Sequence, residues 1–281
     1  MNSLRFLLSA GLILLLTGCV GFWQSNHHES SSVLQFLYPG KDQPFVQPSI
    51  PTLRLPLRVG VAFVPPAGNP GNYRTSGDTF SEAQKIALLQ DVVAKFRALP
   101  FVQSIEPVPT SYLRPGGGFA NLDQLHALLG VDVIVLLSYD QLQNTGDSAW
   151  SLAYWTIVGA YVIPAQKNDT HTLMEAAVYD ITSRSLLFRA PGVSALKGHS
   201  TLVGNPADLR ADSALGYAQA ARDLTINLQQ ELEAFKVRAR SEPEKIHIEH
   251  QSGYTGGGAL DGWFAALLGL LLAGRFAISR R

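Results

Sequence analysis

The stretch "VDVIVLLSYD" (Val131–Asp140) is an apolar run that follows a glycine and ends in polar residues. It is too short for a typical helix and rich in β-branched side chains, a composition typical of strands buried on both faces. We therefore predict a strand here. A strand with two buried faces requires cover on both sides, which the segments before and after it must supply.

The first of these segments predicts a strand followed by a helix. "LPLRVGVAFVPP" contains a β-rich run over Leu57–Val64 that ends at a pair of prolines, which predicts a strand. A helix is predicted to start near Ser81 and to stop before Pro100, because apolar side chains recur there every three or four residues. The apolar face of this predicted helix consists of Ile86, Leu89, Val93 and Phe96.

A second strand and helix are predicted before the apolar run. "FVQSIEPVPTSYL" (101–113) predicts a strand, and "NLDQLHALLG" (121–130) predicts a short helix that Asn121 caps and Gly130 ends. Between them, "RPGGGF" (Arg114–Phe119) is Gly-rich and precedes a helix, as a phosphate-binding loop does. It lacks the Gly-Lys-Ser/Thr ending of a P-loop, so we interpret it as a flexible loop.

After Asp140 the apolar pattern changes to a period of two. "AWSLAYWTIVGAYVIP" (149–164) and "HTLMEAAVYDITSRSLLFRAPG" (171–192) predict long strands, with a hairpin turn over Asp180–Ser185. Residues 206–240 predict a helix whose apolar contacts are Leu215, Ala218, Leu224, Leu228 and Leu232. The resulting order β-α-β-α-β-β-β-α predicts one α+β domain over residues 53–240, a mixed sheet with packed helices. This order is similar to periplasmic lipoprotein domains of the curli-secretion and Tol-associated kinds, a likeness that implies no activity.

The charge balance and the single cysteine exclude several function classes. The 281 residues include 22 Lys+Arg and 22 Asp+Glu, so the net charge does not indicate a nucleic-acid partner, and we predict none. One cysteine excludes an intramolecular disulfide framework and any multi-cysteine metal site. We predict no metal and no cofactor other than a covalent lipid, for which the reason follows below.

The polar residues of the predicted domain do not form an active-site motif. The residue types of a catalytic triad are present at His126, Ser138, Asp140, His171 and His199. No Gly-x-Ser-x-Gly elbow surrounds a serine. His171 and Glu175 are four apart but fall in a predicted strand, and the HExxH motif is absent. We predict that the protein is not an enzyme, with an unrecognised envelope hydrolase as the alternative.

Two groups of metal-ligating residue types are interpreted as parts of solvent-exposed segments rather than as sites. His27, His28 and Glu29 lie in the polar stretch "SNHHESSS", which predicts a solvated linker rather than a metal site. "KIHIEH" (Lys245–His250) predicts part of an exposed stalk. Four aromatic residues are predicted in the core or on a sheet face, with an exposed binding surface as the alternative. They are Trp150, Tyr154, Trp155 and Tyr161.

The amino terminus carries a short secretion signal. Arg5 precedes the apolar run "FLLSAGLILLL" (Phe6–Leu16), whose 11 residues suit a signal peptide and fall short of the roughly 20 that span a bilayer. The run leads directly into Leu16, Thr17, Gly18 and Cys19. This tetrad resembles the lipobox of bacterial lipoproteins. The resemblance implies diacylglycerol on the Cys19 thiol and removal of residues 1–18 by signal peptidase II. Because Val20 rather than aspartate follows, it also implies sorting to the outer membrane, with 19–52 as tether and Pro-rich approach.

The carboxyl terminus carries a second apolar segment behind three glycines. Gly256–Gly258 precede the apolar run Trp263–Gly274, which reaches membrane-spanning length if Ala259–Ile278 is counted. The arginines that would face the cytoplasm are Arg275, Arg280 and Arg281. This pattern resembles the GlyGly-CTERM sorting signal. The resemblance implies cleavage at Gly256, Gly257 or Gly258 by rhombosortase, a rhomboid-family intramembrane protease, with 241–255 as stalk and 256–281 as sorting tail.

The combination of the two ends is similar to the rhombotarget lipoprotein family. The resemblance implies an outer-membrane lipoprotein, potentially surface-exposed, with a transient inner-membrane precursor. Its expected partners are membrane lipid, the lipoprotein-processing enzymes, the intramembrane protease and an unidentified envelope protein. We expect a role in surface sorting or envelope assembly. A lipoprotein that keeps its C-terminal helix as a permanent inner-membrane anchor is the alternative.

Overall fold

A computed structural model describes residues 25–40, 48–66, 80–147, 166–200 and 205–251. Within these ranges the chain forms an α+β fold with a mixed β-sheet and four α-helices. The chain divides into two compact units. The smaller unit comprises Met1–Glu29, Gln141–His171 and Ala195–Gly216, and the larger unit comprises Ser30–Asp140, Thr172–Ser194 and Tyr217–Arg281.

Eight strands are described. They are β1 (Ser25–Ser30), β2 (Thr52–Leu55), β3 (Leu57–Phe63), β4 (Val102–Pro107), β5 (Val133–Asp147), β6 (Gln166–Asp180), β7 (Ser185–Ser200) and β8 (His247–His250). The large sheet has the order β4-β3-β5-β6-β7, with β1 also paired to β5. Strand β3 is parallel to both neighbours, so that Val59 lies opposite Ile105 and Val133. β6 and β7 are joined by four residues, a link that only an antiparallel hairpin allows. Strand β2 pairs in parallel with β8 in a separate two-stranded sheet.

The four helices begin and end at recognisable signals. They are α1 (Val33–Leu37), α2 (Glu82–Phe96), α3 (Gly118–Leu129) and α4 (Asn205–Ser241), and a 3-10 turn covers Thr110–Tyr112. Helix α2 starts in a capping box, because Gln84 Oε1 accepts from the backbone N–H of Ser81 at 2.8 Å while Ser81 Oγ accepts from the backbone N–H of Gln84. Helix α3 ends at Gly130, whose φ of 68° is the left-handed conformation that glycine adopts without strain.

The core of the larger unit consists of two apolar clusters, one on each face of β3 and β5. Along β5, Val133, Val135 and Leu137 enter the first cluster, while Ile134 and Leu136 enter the second. Helices α2 and α4 contribute to the first cluster, and α1 and α3 to the second. The apolar run that predicts a strand buried on both faces is therefore confirmed over Val133–Tyr139.

The smaller unit has buried polar contacts among its described residues. Gln141 Nε2 donates to the backbone oxygen of Ser213 at 3.1 Å, and Ser213 Oγ donates to Gln141 Oε1. Gln143 Nε2 donates to Thr170 Oγ1 and to the backbone oxygen of Leu209. These bonds satisfy amide side chains that burial would otherwise destabilise.

The predicted order of elements is found between Leu57 and Ser241 in the described residues. The strand over Leu57–Val64, the helix from Ser81, and the hairpin turn over Asp180–Ser185 are all confirmed. The predicted strand over 149–164 lies outside the described residues. None of the described helices combines the length and the apolar character required to cross a membrane.

The tether and stalk each contain a strand that the sequence does not predict. Ser25–Ser30, predicted as a polar linker, forms β1 and pairs with β5. Helix α1 follows, and its Val33, Phe36 and Leu37 are buried. "KIHIEH" contains β8, although its side chains are largely exposed as predicted. Backbone pairing with a distant partner forms these strands, and side-chain patterning gives no signal for such pairing.

Three residues differ from their predicted roles in helices. Asn121 lies inside α3 rather than at its cap, because the helix already begins at Gly118. On α2 the buried side chain is Lys85, while Ile86 is only half-buried. Leu215 on α4 is 44% exposed and makes no core contact of the predicted kind.

Strand β7 and helix α4 approach each other closely at Gly192. A Cβ atom at this position would overlap the backbone oxygen of Ala220 and lie 2.6 Å from Leu224 Cβ. Glycine is therefore required here by the distance between the helix and the sheet rather than by its φ angle.

Candidate functional site

A polar cavity of about 610 Å³ opens in the larger unit. The start of β3, helix α3, the turn after β6 and the pair β2–β8 surround it. Parallel pairing of β3 with β5 brings Arg58 and Asp132 of the cavity together, since the backbone N–H of Asp132 donates to the backbone oxygen of Arg58. Its ionisable lining residues are Arg54, Arg58, His126, Asp132, Asp180 and Glu249.

Arg58 and Asp132 form the centre of this polar cavity. Arg58 donates from Nε and Nη2 to the two oxygens of Asp132 at 2.9 and 2.8 Å, a bidentate arrangement. This hydrogen bonding raises the pKa of Arg58 above its ordinary value. His126 Nδ1 lies 2.7 Å from the backbone oxygen of Val131 and 3.8 Å from Asp132 Oδ1. The carboxylate is therefore held by the guanidinium, while the neighbouring imidazole contacts the backbone oxygen of Val131.

The other ionisable groups of the polar cavity have partners of their own. Asp180 is buried and accepts from the backbone N–H of Ser183 at 2.8 Å, which closes the hairpin turn. Arg54 donates to Glu249 across the β2–β8 pair at 3.1 Å. Since Arg54 and Arg58 are paired with carboxylates of the chain itself, binding an anionic ligand to either arginine would require an existing pair to open.

The residue types of a catalytic triad are not brought together in the described residues. His126 lines the polar cavity, but Ser138, Asp140 and His171 line neither this cavity nor the apolar one described below. Ser138 is buried in β5, and His171 is exposed on β6. His199 lies in β7, and its side chain is outside the described residues.

The Gly-rich segment "RPGGGF" is a structured turn and not a flexible loop. Gly116 and Gly118 have φ angles of 65° and 61°, which other residues rarely adopt. Buried Asn121 fixes the turn, because its Oδ1 accepts from the backbone N–H of Arg114 at 2.7 Å and its Nδ2 donates to the backbone oxygen of Tyr112. The side chain of Asn121 thus holds the preceding turn closed and does not cap the helix as predicted.

The sequence did not lead us to predict the buried lysine that the structure places in an aromatic cluster. Lys85 is 5% exposed, and its Nζ lies 5.4 Å from the ring centre of Phe80 and 5.6 Å from that of Tyr139. Phe80 also stacks on Tyr217 with ring centres 3.8 Å apart. The aromatic faces attract the ammonium group. Helical periodicity could have indicated this position, since Lys85 is four residues before Leu89 on the buried face.

An apolar cavity of about 850 Å³ lies between the sheet and the helices of the same unit. Its inner wall is nearly inaccessible to solvent and includes Val59, Val135 and Val178 of the sheet. Half-buried side chains form its mouth, among them Leu187 of β7 and Leu232 of α4. Aliphatic and aromatic groups thus dominate the walls.

The ionisable side chains of the apolar cavity are cationic or imidazole groups. They are Lys236, Arg240 and His250, and no carboxylate lines this cavity. Lys236 and Arg240 are four residues apart on α4 and so share one helix face. Lys236 Nζ contacts Glu233 at 2.8 Å and lies 5.7 Å from the ring centre of Phe101. Among the described residues, Arg240 forms no ion pair.

Within the described ranges, no group of three His, Cys, Asp or Glu side chains is arranged to hold a metal ion. His28 and Glu29 lie on β1, and His247, Glu249 and His250 lie on β8. Glu249 is engaged by Arg54.

The residues predicted at the two ends lie outside the described residues. They are Leu16, Thr17, Gly18 and Cys19, Gly256, Gly257 and Gly258, and Arg275, Arg280 and Arg281. The aromatic residues Trp150, Tyr154, Trp155 and Tyr161 lie outside them as well. Their proposed roles therefore depend on the sequence alone.

Comparisons with known proteins give only weak likenesses. No protein-family model matches the chain, and no curated protein matches it. Two structures of the PelC dodecamer from Paraburkholderia phytofirmans are 8% identical, with TM-scores of 0.28 and 0.27, covering 72% of this chain and 96% of theirs. Lipoprotein GNA1162 from Neisseria meningitidis is 13% identical, with a TM-score of 0.23, covering 55% of this chain and 94% of its own. Likenesses at this level establish neither fold nor function.

Proposed function

We propose that this protein is a non-enzymatic lipoprotein of the bacterial cell envelope, anchored by lipid on Cys19 and placed in the outer membrane. The observation that carries the proposal is the tetrad Leu16-Thr17-Gly18-Cys19 directly after an apolar signal, with the chain's single cysteine in the acylated position. Acyl chains contribute about 0.8 kcal/mol per buried CH₂, so several chains on one thiol give a lasting anchor.

The position of the first described strand supports a short membrane tether. Six peptide steps separate Cys19 from Ser25, where β1 begins, so this segment extends at most about 21 Å. A tether over residues 19–52 would reach more than about 100 Å when extended. The proposed lipoprotein therefore holds its first strand close to the lipid surface.

We further propose that the tail is removed at Gly256, Gly257 or Gly258 by a rhombosortase-type intramembrane protease, as in the rhombotarget lipoprotein family. Glycine has a weak helix propensity, so the segment before Ala259–Ile278 unwinds at low cost and can enter a protease active site. Strand β8 ends at His250, which leaves about 18 Å of chain between Gln251 and Gly256. The protease would cut near the folded unit.

A role in surface sorting or envelope assembly fits these features best. Partners would be membrane lipid, the processing enzymes and an envelope protein. The triad residue types are dispersed among the described residues, and both arginines of the polar cavity are paired with carboxylates, so the geometry offers no reason to assign a reaction.

Mass spectrometry of both termini of the mature protein tests the proposal. We expect an acylated Cys19 at one end and a terminal glycine among residues 256–258 at the other. Cys19→Ser is expected to abolish outer-membrane fractionation, while the matched control Thr17→Ser retains it. Leucine in place of Gly256–Gly258 is expected to block tail removal, and Gly253→Leu, outside the triplet, is not.

The alternative is a permanent inner-membrane anchor at the C-terminus. Recovery of peptides that contain Arg275 from the mature protein would favour it and would refute cleavage. With Cys19 anchored in the outer membrane and a helix that starts at Ala259 in the inner one, such a bridge requires two membranes separated by no more than the folded part plus about 50 Å of extended chain. Unacylated Cys19 in an outer-membrane protein would overturn the anchor itself.

A further inference from the structure

We propose that the apolar cavity of about 850 Å³ binds a single-chain anionic lipid, with the acyl chain inside and the acidic head at Lys236 and Arg240. This inference does not depend on acylation of Cys19, because it concerns a lipid that is bound without a covalent bond. Ligand cavities of proteins occupy about 300–1,000 Å³ and combine apolar walls with a few polar groups.

The walls select an acyl chain over a peptide. Val59, Val135 and Val178 of the sheet and Phe235 of α4 present only carbon atoms from their side chains. A peptide in this position would bury backbone N–H and C=O groups, which require hydrogen-bond partners that such walls do not provide. A hydrocarbon chain has no polar groups to satisfy, so burial removes it from water without this penalty.

The mouth selects a negative head group. Its ionisable lining residues include the cations Lys236 and Arg240 but no carboxylate. Lys236 is partly neutralised by Glu233, whereas Arg240 is exposed and forms no ion pair among the described residues. A guanidinium group binds carboxylate or phosphate oxygens through two parallel N–H donors, so Arg240 is the principal contact for the head.

Chain length provides a first quantitative expectation. Each buried CH₂ contributes about 0.8 kcal/mol, which corresponds to roughly fourfold tighter binding per added methylene until the cavity is full. Beyond that length, additional methylenes would remain in solvent and the affinity would no longer increase. A surface patch that bound lipid without enclosing it would show a much weaker dependence on chain length.

The experiment uses full-length protein in isolated membranes and a photoactivatable fatty acid that carries a diazirine near its methyl end. After irradiation, the labelled peptides are identified by mass spectrometry. We expect adducts on the strand and helix segments that line the cavity, including Leu57–Phe63 and the C-terminal half of α4. Unlabelled fatty acids are expected to compete roughly fourfold more tightly for each added methylene until the cavity is full.

Adjacent leucines on β7 supply a matched pair of variants. Leu187 lines the cavity, whereas its neighbour Leu186 is 47% exposed. Leu187→Trp fills the mouth and is expected to reduce labelling at least tenfold, while Leu186→Trp keeps labelling within twofold. On α4, Leu232→Trp repeats the test if Leu187→Trp fails to fold, with exposed Ile226→Trp as its control.

Charge reversal tests the head group separately. Arg240→Glu is expected to weaken labelling by the fatty acid at least fivefold and to leave labelling by a neutral fatty-alcohol probe unchanged. Arg222→Glu, an exposed arginine on the same helix that does not line the cavity, should alter neither. Equal labelling of Leu187→Trp and Leu186→Trp would overturn the proposal. Adducts outside the cavity, or occupation of the cavity by the chain's own segment Trp263–Gly274, would do the same.

Discussion

The two cavities of the larger unit lie side by side and have opposite chemistry. Leu53 and Leu57 line both of them. In the polar cavity, Arg58 is paired with Asp132 and Arg54 with Glu249. In the apolar cavity the walls are hydrocarbon, and Arg240 at the mouth has no such partner among the described residues.

This contrast teaches that a concentration of charge is not by itself a sign of a binding site. The polar cavity contains more ionisable groups, but both of its arginines are already paired. Arg58 pairs with Asp132, which precedes β5, and Arg54 pairs with Glu249, which joins β2 to β8. The apolar cavity contains fewer, but its volume lacks the close packing usual in protein interiors. Available volume and available charge, rather than the number of polar residues, indicate where a ligand can bind.

The largest expected effect concerns the helix that forms one wall of the apolar cavity. Gly192→Ala places a methyl group against Ala220 and Leu224, so α4 must move away from β7. We expect the free energy of unfolding to fall by about 3 kcal/mol, measured by urea denaturation of the full chain. Val193→Ala, at the exposed neighbouring position, is expected to cost less than about 0.5 kcal/mol. Similar values for both would contradict the close approach.

A smaller effect is expected in the polar cavity. Arg58→Leu leaves Asp132 without its bidentate partner, and because Arg58 is 42% exposed, solvent screening limits the loss to about 1 kcal/mol. The matched control is Arg54→Leu, whose pair is 71% and 57% exposed and is worth less than about 0.5 kcal/mol. Thermal unfolding of the two variants gives the comparison. A larger loss at Arg54 would show that the surface pair, rather than the central pair, holds the cavity together.

Adding one methylene is expected to have opposite effects on stability in the apolar cavity and in the second core cluster. Val178→Ile extends into the apolar cavity and is expected to stabilise the empty protein by about 0.5 kcal/mol. Val131→Ile, in the second core cluster and lining neither cavity, is expected to destabilise it by about 1 kcal/mol because the added methylene must displace packed neighbours. Denaturation midpoints of the two variants would move in opposite directions. Equal losses at both positions would mean that the apolar region is already filled.

The smallest effect is a pH dependence in the segment that leads to β8. The hydrogen bond from Lys245 lowers the pKa of Glu242 below its ordinary 4.5. The pair therefore contributes stability above the ordinary pKa, and this contribution is lost as the pH falls through the lowered value. NMR titration of the Glu242 carboxyl carbon should show a midpoint below 4.5 that Lys245→Gln restores. An unchanged midpoint in that variant would exclude Lys245 as the cause.

Much of the fold could be predicted from the sequence because burial imposes a period on it. The apolar run at Val133–Leu137 and the helical spacing of Leu89, Val93 and Phe96 predicted the position and type of their elements. Strand β1 could not be predicted, because "SNHHES" has no apolar period and is fixed by backbone bonds to β5. Local patterns of apolar residues do not predict pairing between strands that are distant in the sequence.

The two cavities could not be predicted from the sequence for a related reason. Arg58 and Asp132 are 74 positions apart, and the register of two parallel strands brings them together. The apolar cavity is volume left between strands and helices that are far apart in the sequence. The roles of Cys19 and Gly256–Gly258 are motif predictions, and they stay predictions because these residues lie outside the described ranges.

The parallel pair β2–β8 determines how a mechanical load on the tail would enter the protein. Strand β8 has only four residues, matched from Thr52 opposite His247 to Leu55 opposite His250. A pull on the chain beyond Gln251 would reach this short ladder before it reached α4. Since residues of both strands line both cavities, its rupture would open the two together. Before the proposed removal of the tail, tension at the C-terminus would thus release a lipid from its proposed position in the apolar cavity.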